Sequence, residues 1–240
     1  MTLTPEAPLA EFDSVAADYR QMVEQSIRFS GKDLDFFARA KVDHLVDLGT
    51  RLVGDLRQRA VLDVGCGNGA TDRLLAPSVG TLDGIDMSAS MVAEARQRNP
   101  GGRYASYDGA TLPFDDETFD LTFAICVMHH VPPEQWDSFA QELLRVTRPT
   151  GAVMVFEHNP LNPLTRRAVR NCPFDADAVL LRSARVAKSL QRAGGAVIAR
   201  RFILFTPLAG PVARKAERLV QWLPAGAQYA VAARPPANCR

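Results

Sequence analysis

The sequence predicts a doubly wound α/β fold, a mostly parallel sheet with helices on both faces. Two observations predict it. From Ala60 onward short apolar runs recur at regular intervals, and helical segments separate them. The first of these runs ends in glycines, as a buried parallel strand does where it gives way to a helix.

The elements follow in order. From about Glu11 to Leu56 the pattern is helical: Val42, Leu45, Val46 and Leu52 recur at helical spacing, and Ser30-Gly31 breaks the segment in two. Ala60 to Val64 is the first strand. Thr81 to Asp86, Arg103 to Tyr107, Phe119 to Val127 and Ala152 to Phe156 are the next four. Ser88 to Arg98 reads as a helix with Ser88 as its N-cap. Glu134 to Thr147 is the clearest helix. Pro132-Pro133 sets its start, and Trp136, Phe139, Leu143 and Val146 share one face. Asn159 to Pro173 breaks the rhythm with prolines and asparagines and reads as a lid or insertion rather than core. A helix over Ser183 to Ala193 stops at Gly194-Gly195. Strands over Ala196 to Leu204 and Ala227 to Ala232 enclose a helix within 211–223.

Composition excludes several classes. The 240 residues are 47% hydrophobic and 23% charged, enough apolar mass for one sizeable core. Twenty-eight basic residues against 27 acidic ones give a net charge of +1, so no electrostatic footprint marks a nucleic acid or an anionic membrane as partner. No run of about 18 apolar residues predicts a membrane span, and the N-terminal stretch lacks the pattern of a secretory signal. Cys66, Cys126, Cys172 and Cys239 form no CxxC pair. They read as cytosolic thiols rather than a disulfide or zinc framework.

The glycine turn, Asp63-Val-Gly65-Cys66-Gly67-Asn-Gly69-Ala70, fits a dinucleotide fingerprint as well as other nucleoside sites. Asp86, at the end of the second strand, suits a ribose diol in either reading. Asp63 separates them. A carboxylate here repels a pyrophosphate and attracts a cationic ligand.

With these residues in view, four segments in order resemble the class I S-adenosylmethionine-dependent methyltransferases, in the branch that includes ubiquinone biosynthesis. They are Asp63 to Gly69, Gly84-Ile-Asp86-Met-Ser88, Asp108-Gly109 with Leu112-Pro113-Phe114, and Phe119-Asp120 through Val127-Met-His-His-Val131. Together they cover about residues 60–157. The resemblance implies a Rossmann-like, seven-stranded, mostly parallel sheet with an N-terminal helical cap. The cap would occupy 1–58 and the methyltransferase core 59–240, with a substrate lid at about 158–176. S-adenosylmethionine is the implied cofactor. Gly65, Cys66, Gly67 and Gly69 would pack against its methionine and ribose, and Asp63 would lie near the amino group. Asp86 would take the ribose hydroxyls and Met87 would pack on the adenine. Asp108 would accept the adenine amino hydrogen beside Gly109, and Ile125 and Cys126 would line the methionine side. Tyr19, in the pattern Phe12-Asp13-x-x-Ala16-x-x-Tyr19, resembles the cap residue that closes over the cofactor.

The histidines carry the expected chemistry. His44 lies in the helical N-terminal part and has no assigned role. His129, His130, His158 and Glu157 follow the fourth and fifth strands, whose ends face the crevice in such sheets. Three readings compete: a general base for an acceptor hydroxyl, a divalent-metal site, and a structural cluster. The base reading is preferred, with His158 first and His130 second. No metal ligands are assigned. Arg166, Arg167 and Arg170 in the lid could meet an anionic acceptor or face solvent.

The expected function is therefore methyl transfer from S-adenosylmethionine to a small organic acceptor, with oxygen as the favoured atom, in the cytoplasm. Neither nucleic acid nor membrane is an expected partner, and the chain is expected as a monomer or homodimer. The alternatives are methylation of a protein or RNA with a partner subunit, and a nicotinamide-dependent oxidoreductase.

Overall fold

A computed structural model describes residues 19–206 and 211–237. Helix α1 (Tyr19–Ile27) and helix α2 (Leu34–Val53) come first. Between them Gly31 takes φ +67°, a left-handed conformation that favours glycine, so the chain breaks where the sequence expects. Asp33 then caps α2, its carboxylate accepting the Phe36 N–H at 2.8 Å.

Strands β1 (Ala60–Val64), β2 (Thr81–Asp86), β3 (Arg103–Ser106), β4 (Phe119–Ile125), β5 (Thr147–His158), β6 (Ala196–Ile203) and β7 (Gln228–Arg234) form one sheet in the order β3-β2-β1-β4-β5-β7-β6. The first five pair in parallel, and β7 runs antiparallel to both neighbours. Helices α3 (Ala70–Leu75), α4 (Ala89–Arg98) and α5 (Trp136–Arg145) follow β1, β2 and β4. Helices α6 (Pro163–Arg170), α7 (Ser183–Arg192) and α8 (Pro211–Val220) complete the described helices. Strand order reverses between β1 and β4, which places a ligand crevice at the C-terminal ends of those strands.

The observed β5 is longer than the apolar run that predicts it. Pro149 and Gly151 end the sequence signal, yet the strand continues through them by a register shift against β4 between Phe119 and Leu121. A Cβ at Gly151 would lie 2.6 Å from the Asp120 carbonyl oxygen, so the close approach at this bulge requires glycine.

Alternation along the strands divides the core between the two faces of the sheet. On one side Leu62, Val64, Ile85, Val153 and Val155 pack with Leu143 of α5 and Leu190 of α7. On the other side Val61, Leu121, Phe123, Met154 and Phe156 pack with Leu45 and Leu48 of α2.

The segment expected as a lid starts as a rigid connector and then forms α6. Asn162 caps this helix, accepting from Leu164 N and Thr165 N. Its base is tied to the loop before β7. Asn159 Nδ2 donates to the carbonyls of Pro224 and Gly226, Asn162 Nδ2 to that of Ala225, and Thr165 Oγ1 to that of Ala227.

Candidate active site

The glycine turn leaves β1 and is held against β2. Gly65 N–H and Cys66 N–H both donate to the Ile85 carbonyl, at 2.7 and 3.0 Å. Gly65 (φ +81°) has no room for a side chain: its Cβ would lie 2.3 Å from Val127 Cγ2. Gly67 (φ +51°) is different, because a Cβ there would meet nothing within 4 Å. Its backbone faces open space, as a turn that receives a ligand must. Asp86 braces it, one oxygen accepting from Gly67 N at 2.8 Å and the other from Ser88 N at 3.0 Å.

Asp63 lies beneath this turn, 2% exposed, with Oδ1 lacking a hydrogen-bond partner. Burial raises its pKa well above the usual carboxylate range, and the negative neighbours Asp72 and Asp86 raise it further. Asp72 is fully buried on α3, and burial pushes its pKa up to about 6. Lys41 of α2 exerts the opposing field. Two buried carboxyl groups short of counter-charge form a site for a cation. A pyrophosphate would add negative charge to it. The donor set therefore fits the ammonium and sulfonium of S-adenosylmethionine, and the nicotinamide reading loses its support.

The expected adenine side is assembled from two strand ends. Met87 and Gly109 adjoin: a Cβ on Gly109 (φ +83°) would lie 2.8 Å from Met87 Sδ. Asp108 is exposed. Its Oδ1 accepts from Ala110 N and Thr111 N, and these bonds hold its pKa below the usual value. Ile125 ends β4, and Cys126 follows with φ +58°, a strained conformation for a non-glycine residue. Burial raises the Cys126 thiol pKa, and its Sγ lies 3.6 Å from Gln228 Nε2. Burial likewise raises Cys66. Tyr19 opens α1, and its side chain, with Phe12 and Asp13, lies outside the described residues.

The three histidines after β4 and β5 do gather. The His129 ring lies 4.2 Å from that of His130 and 5.2 Å from that of His158, centroid to centroid. Glu157 anchors the group, accepting Met128 N–H at 2.7 Å and lying 2.6 Å from His129 Nδ1, both partners almost wholly buried. Burial opposes charge on both, but Glu157 and Asp175 hold the His129 pKa well above the ordinary value, and His129 holds that of Glu157 below its own. Burial and the His129 charge lower His130 and His158 to about 4. His158 is half-buried, its Nδ1 3.4 Å from Gln228 Nε2. His44 is elsewhere, 3.4 Å from Glu217 of α8.

Three residues near the site carry no sequence signal. Asp175 reaches His129 and His130 from the turn Pro173–Asp175, Lys41 comes from α2, and Gln228 from the antiparallel β7. Only the tertiary fold brings these segments together. The segment after α6 docks on the histidine turn through Val179 N–H to the His129 carbonyl at 2.8 Å and through Phe174 against His130.

Residues 61–151 match the family model described as "Methyltransferase domain". The chain is 37% identical over 103 residues to the 2-methyl-6-phytyl-1,4-hydroquinone methyltransferase of Synechocystis, covering 41% of this chain and 32% of that protein. It is 32% identical over 123 residues to the demethylmenaquinone methyltransferase of Clavibacter sepedonicus, covering 49% of each. The chain thus spans between about a third and a half of the length of these curated relatives. Among solved structures, magnesium protoporphyrin IX methyltransferase from Synechocystis with bound S-adenosylmethionine is similar over 98% of both chains, with a TM-score of 0.66 at 18% identity. The [4+2]-cyclase SpnF is similar over 82% of both chains, with a TM-score of 0.58 at 20% identity.

Residues 61–151 thus match a methyltransferase domain, and the chain shares the Rossmann-like fold of these solved structures. Among the described residues no helix is long and apolar enough to cross a membrane.

Proposed function

We propose that this chain transfers the methyl group of S-adenosylmethionine to an oxygen of a small organic acceptor, with His158 accepting the acceptor's proton. The observation that carries the reading is the buried, under-compensated Asp63 beneath the open turn at Gly67, at the same sheet edge as His158. The cofactor supplies an activated methyl that an acceptor lone pair displaces in line.

The protein's part is alignment and proton removal. Asp63 and the 65–69 backbone orient the cationic end of the cofactor, Asp86 its ribose, and Met87, Asp108 and Gly109 its adenine. Alignment of this kind is worth roughly 7–11 kcal/mol of the barrier. Ile125 and Cys126 wall the methionine side. His158, half-buried at the end of β5, takes the proton as the new oxygen–carbon bond forms. Glu157, His129 and His130 hold the turn that faces it. Above them the lid forms one wall of the acceptor site. A cleft of about 270 Å³ between α6 and 175–180 carries Arg166 and Arg170, which suits an acceptor with an anionic group. Relatives described as acting on a phytyl hydroquinone and a demethylmenaquinone favour a phenolic or quinol acceptor.

The test uses S-adenosylmethionine labelled on its transferable methyl, a panel of quinols and phenols, and extract of the source organism. Label in a small-molecule product, reduced about 10²–10⁴-fold in His158→Ala with cofactor affinity retained, is the expected result. Undiminished transfer by that variant removes the base role, and label on protein or RNA overturns the acceptor class.

A further inference from the structure

We propose that His129, His130 and Asp175 bind a divalent transition-metal ion, with Glu157 orienting the His129 imidazole. One ligand atom from each of the three side chains lies within 4.8 Å of the others. Asp175 Oδ1 stands 3.6 Å from His129 Nε2 and 3.5 Å from His130 Nε2. Both distances are too long for good hydrogen bonds. They are close to the edge of a tetrahedron built on metal–ligand bonds of about 2.0–2.1 Å, which is about 3.4 Å.

The second observation is the state of His129. Its side chain is 1% exposed, and Nε2, on the Asp175 side, has no hydrogen-bond partner. The other ring nitrogen lies 2.6 Å from Glu157, whose second oxygen is fixed by Met128 N–H. A carboxylate that takes Nδ1–H leaves Nε2 to face an ion that displaces its proton, the arrangement that orients metal-binding imidazoles. Two imidazoles and one carboxylate suit Zn²⁺, Co²⁺ or Fe²⁺ rather than Ca²⁺ or Mg²⁺, which prefer oxygen ligands throughout.

Three protein ligands leave a coordination position for water or an acceptor oxygen. An acceptor hydroxyl bound there would lose its proton more readily. This use in catalysis rests on the function proposed above, whereas metal binding does not depend on it. The carboxylate comes from the turn Pro173–Asp175, so the ion would also tie the lid to the turn after β4.

The test is a titration of chelator-treated protein with Co²⁺, followed by its visible absorption and by calorimetry. One Co²⁺ per chain, displaced by Zn²⁺, is the expected result. Asp175→Ala loses the binding, and Glu157→Gln weakens it about 10–100-fold. Asp175 sits in the short turn Pro173–Asp175, and a denaturation midpoint close to that of the native chain verifies that its variant is folded. Absence of Co²⁺ binding by the native chain, or equal binding by folded Asp175→Ala, overturns the proposal. Cofactor affinity is measured on the same samples. Its absence from a chain that still binds Co²⁺ counts against the methyltransferase reading and leaves the metal site standing.

Discussion

Asp63 and Asp72 hold their protons more tightly in the folded chain than in the unfolded one, because burial disfavours their charged forms. The sign of the pH dependence follows. Below the ordinary carboxylate range both states are protonated and the pair costs nothing. As pH rises from about 4 through about 6 the unfolded chain ionises first, so the pair lowers stability across that window. Urea denaturation over this range should show stability falling with pH, and Asp72→Asn should flatten the slope. Saturating S-adenosylmethionine should flatten it too, since its ammonium supplies the missing counter-charge. Asp63 is legible in the sequence because it stands two residues before a glycine turn. Asp72 is not: on a short helix, only the packing of α3 shows that its carboxyl is buried beside Asp63 and Tyr104.

At the level of elements, α6 depends on local capping. Asn162 supplies the first-turn hydrogen bonds of α6, an eight-residue helix too short to persist by its own propensity. Asn162→Ala should cost about 0.5–2 kcal/mol locally. Hydrogen exchange would show it as faster exchange of amides in 163–170, with the strands unchanged. Most elements were legible because their periodicity is undisturbed. Ser88 caps α4 as its residue type predicts, accepting Met91 N–H at 3.2 Å. The apolar face of Trp136, Phe139 and Leu143 marks α5, although its first turn, Pro133–Gln135, is a tighter 3₁₀ turn. The start of β5 was not legible, because proline and glycine there mark a bulge rather than an end.

The whole molecule is one sheet with an apolar layer on each face, and Leu143 lies wholly buried in one of them. Leu143→Ala should cost about 2–5 kcal/mol in chemical denaturation, transfer and cavity together. The sequence indicates the parallel half of this sheet and the histidines at its edge. It does not show what reaches them from afar: Lys41, Asp175 and Gln228 sit on segments whose local patterns speak only of helix, turn and strand. The anchoring of α6 has a further consequence. Asn159, Asn162 and Thr165 grip 224–227 only through its carbonyl oxygens. Every amino acid offers that same carbonyl. The gripping side is therefore chemically exacting, while these contacts leave the gripped loop free to drift in sequence except at Gly226, where a Cβ would lie 2.4 Å from the Ile203 carbonyl oxygen. Over evolutionary time the outer surface of this corner can be rewritten without unlatching the wall behind it.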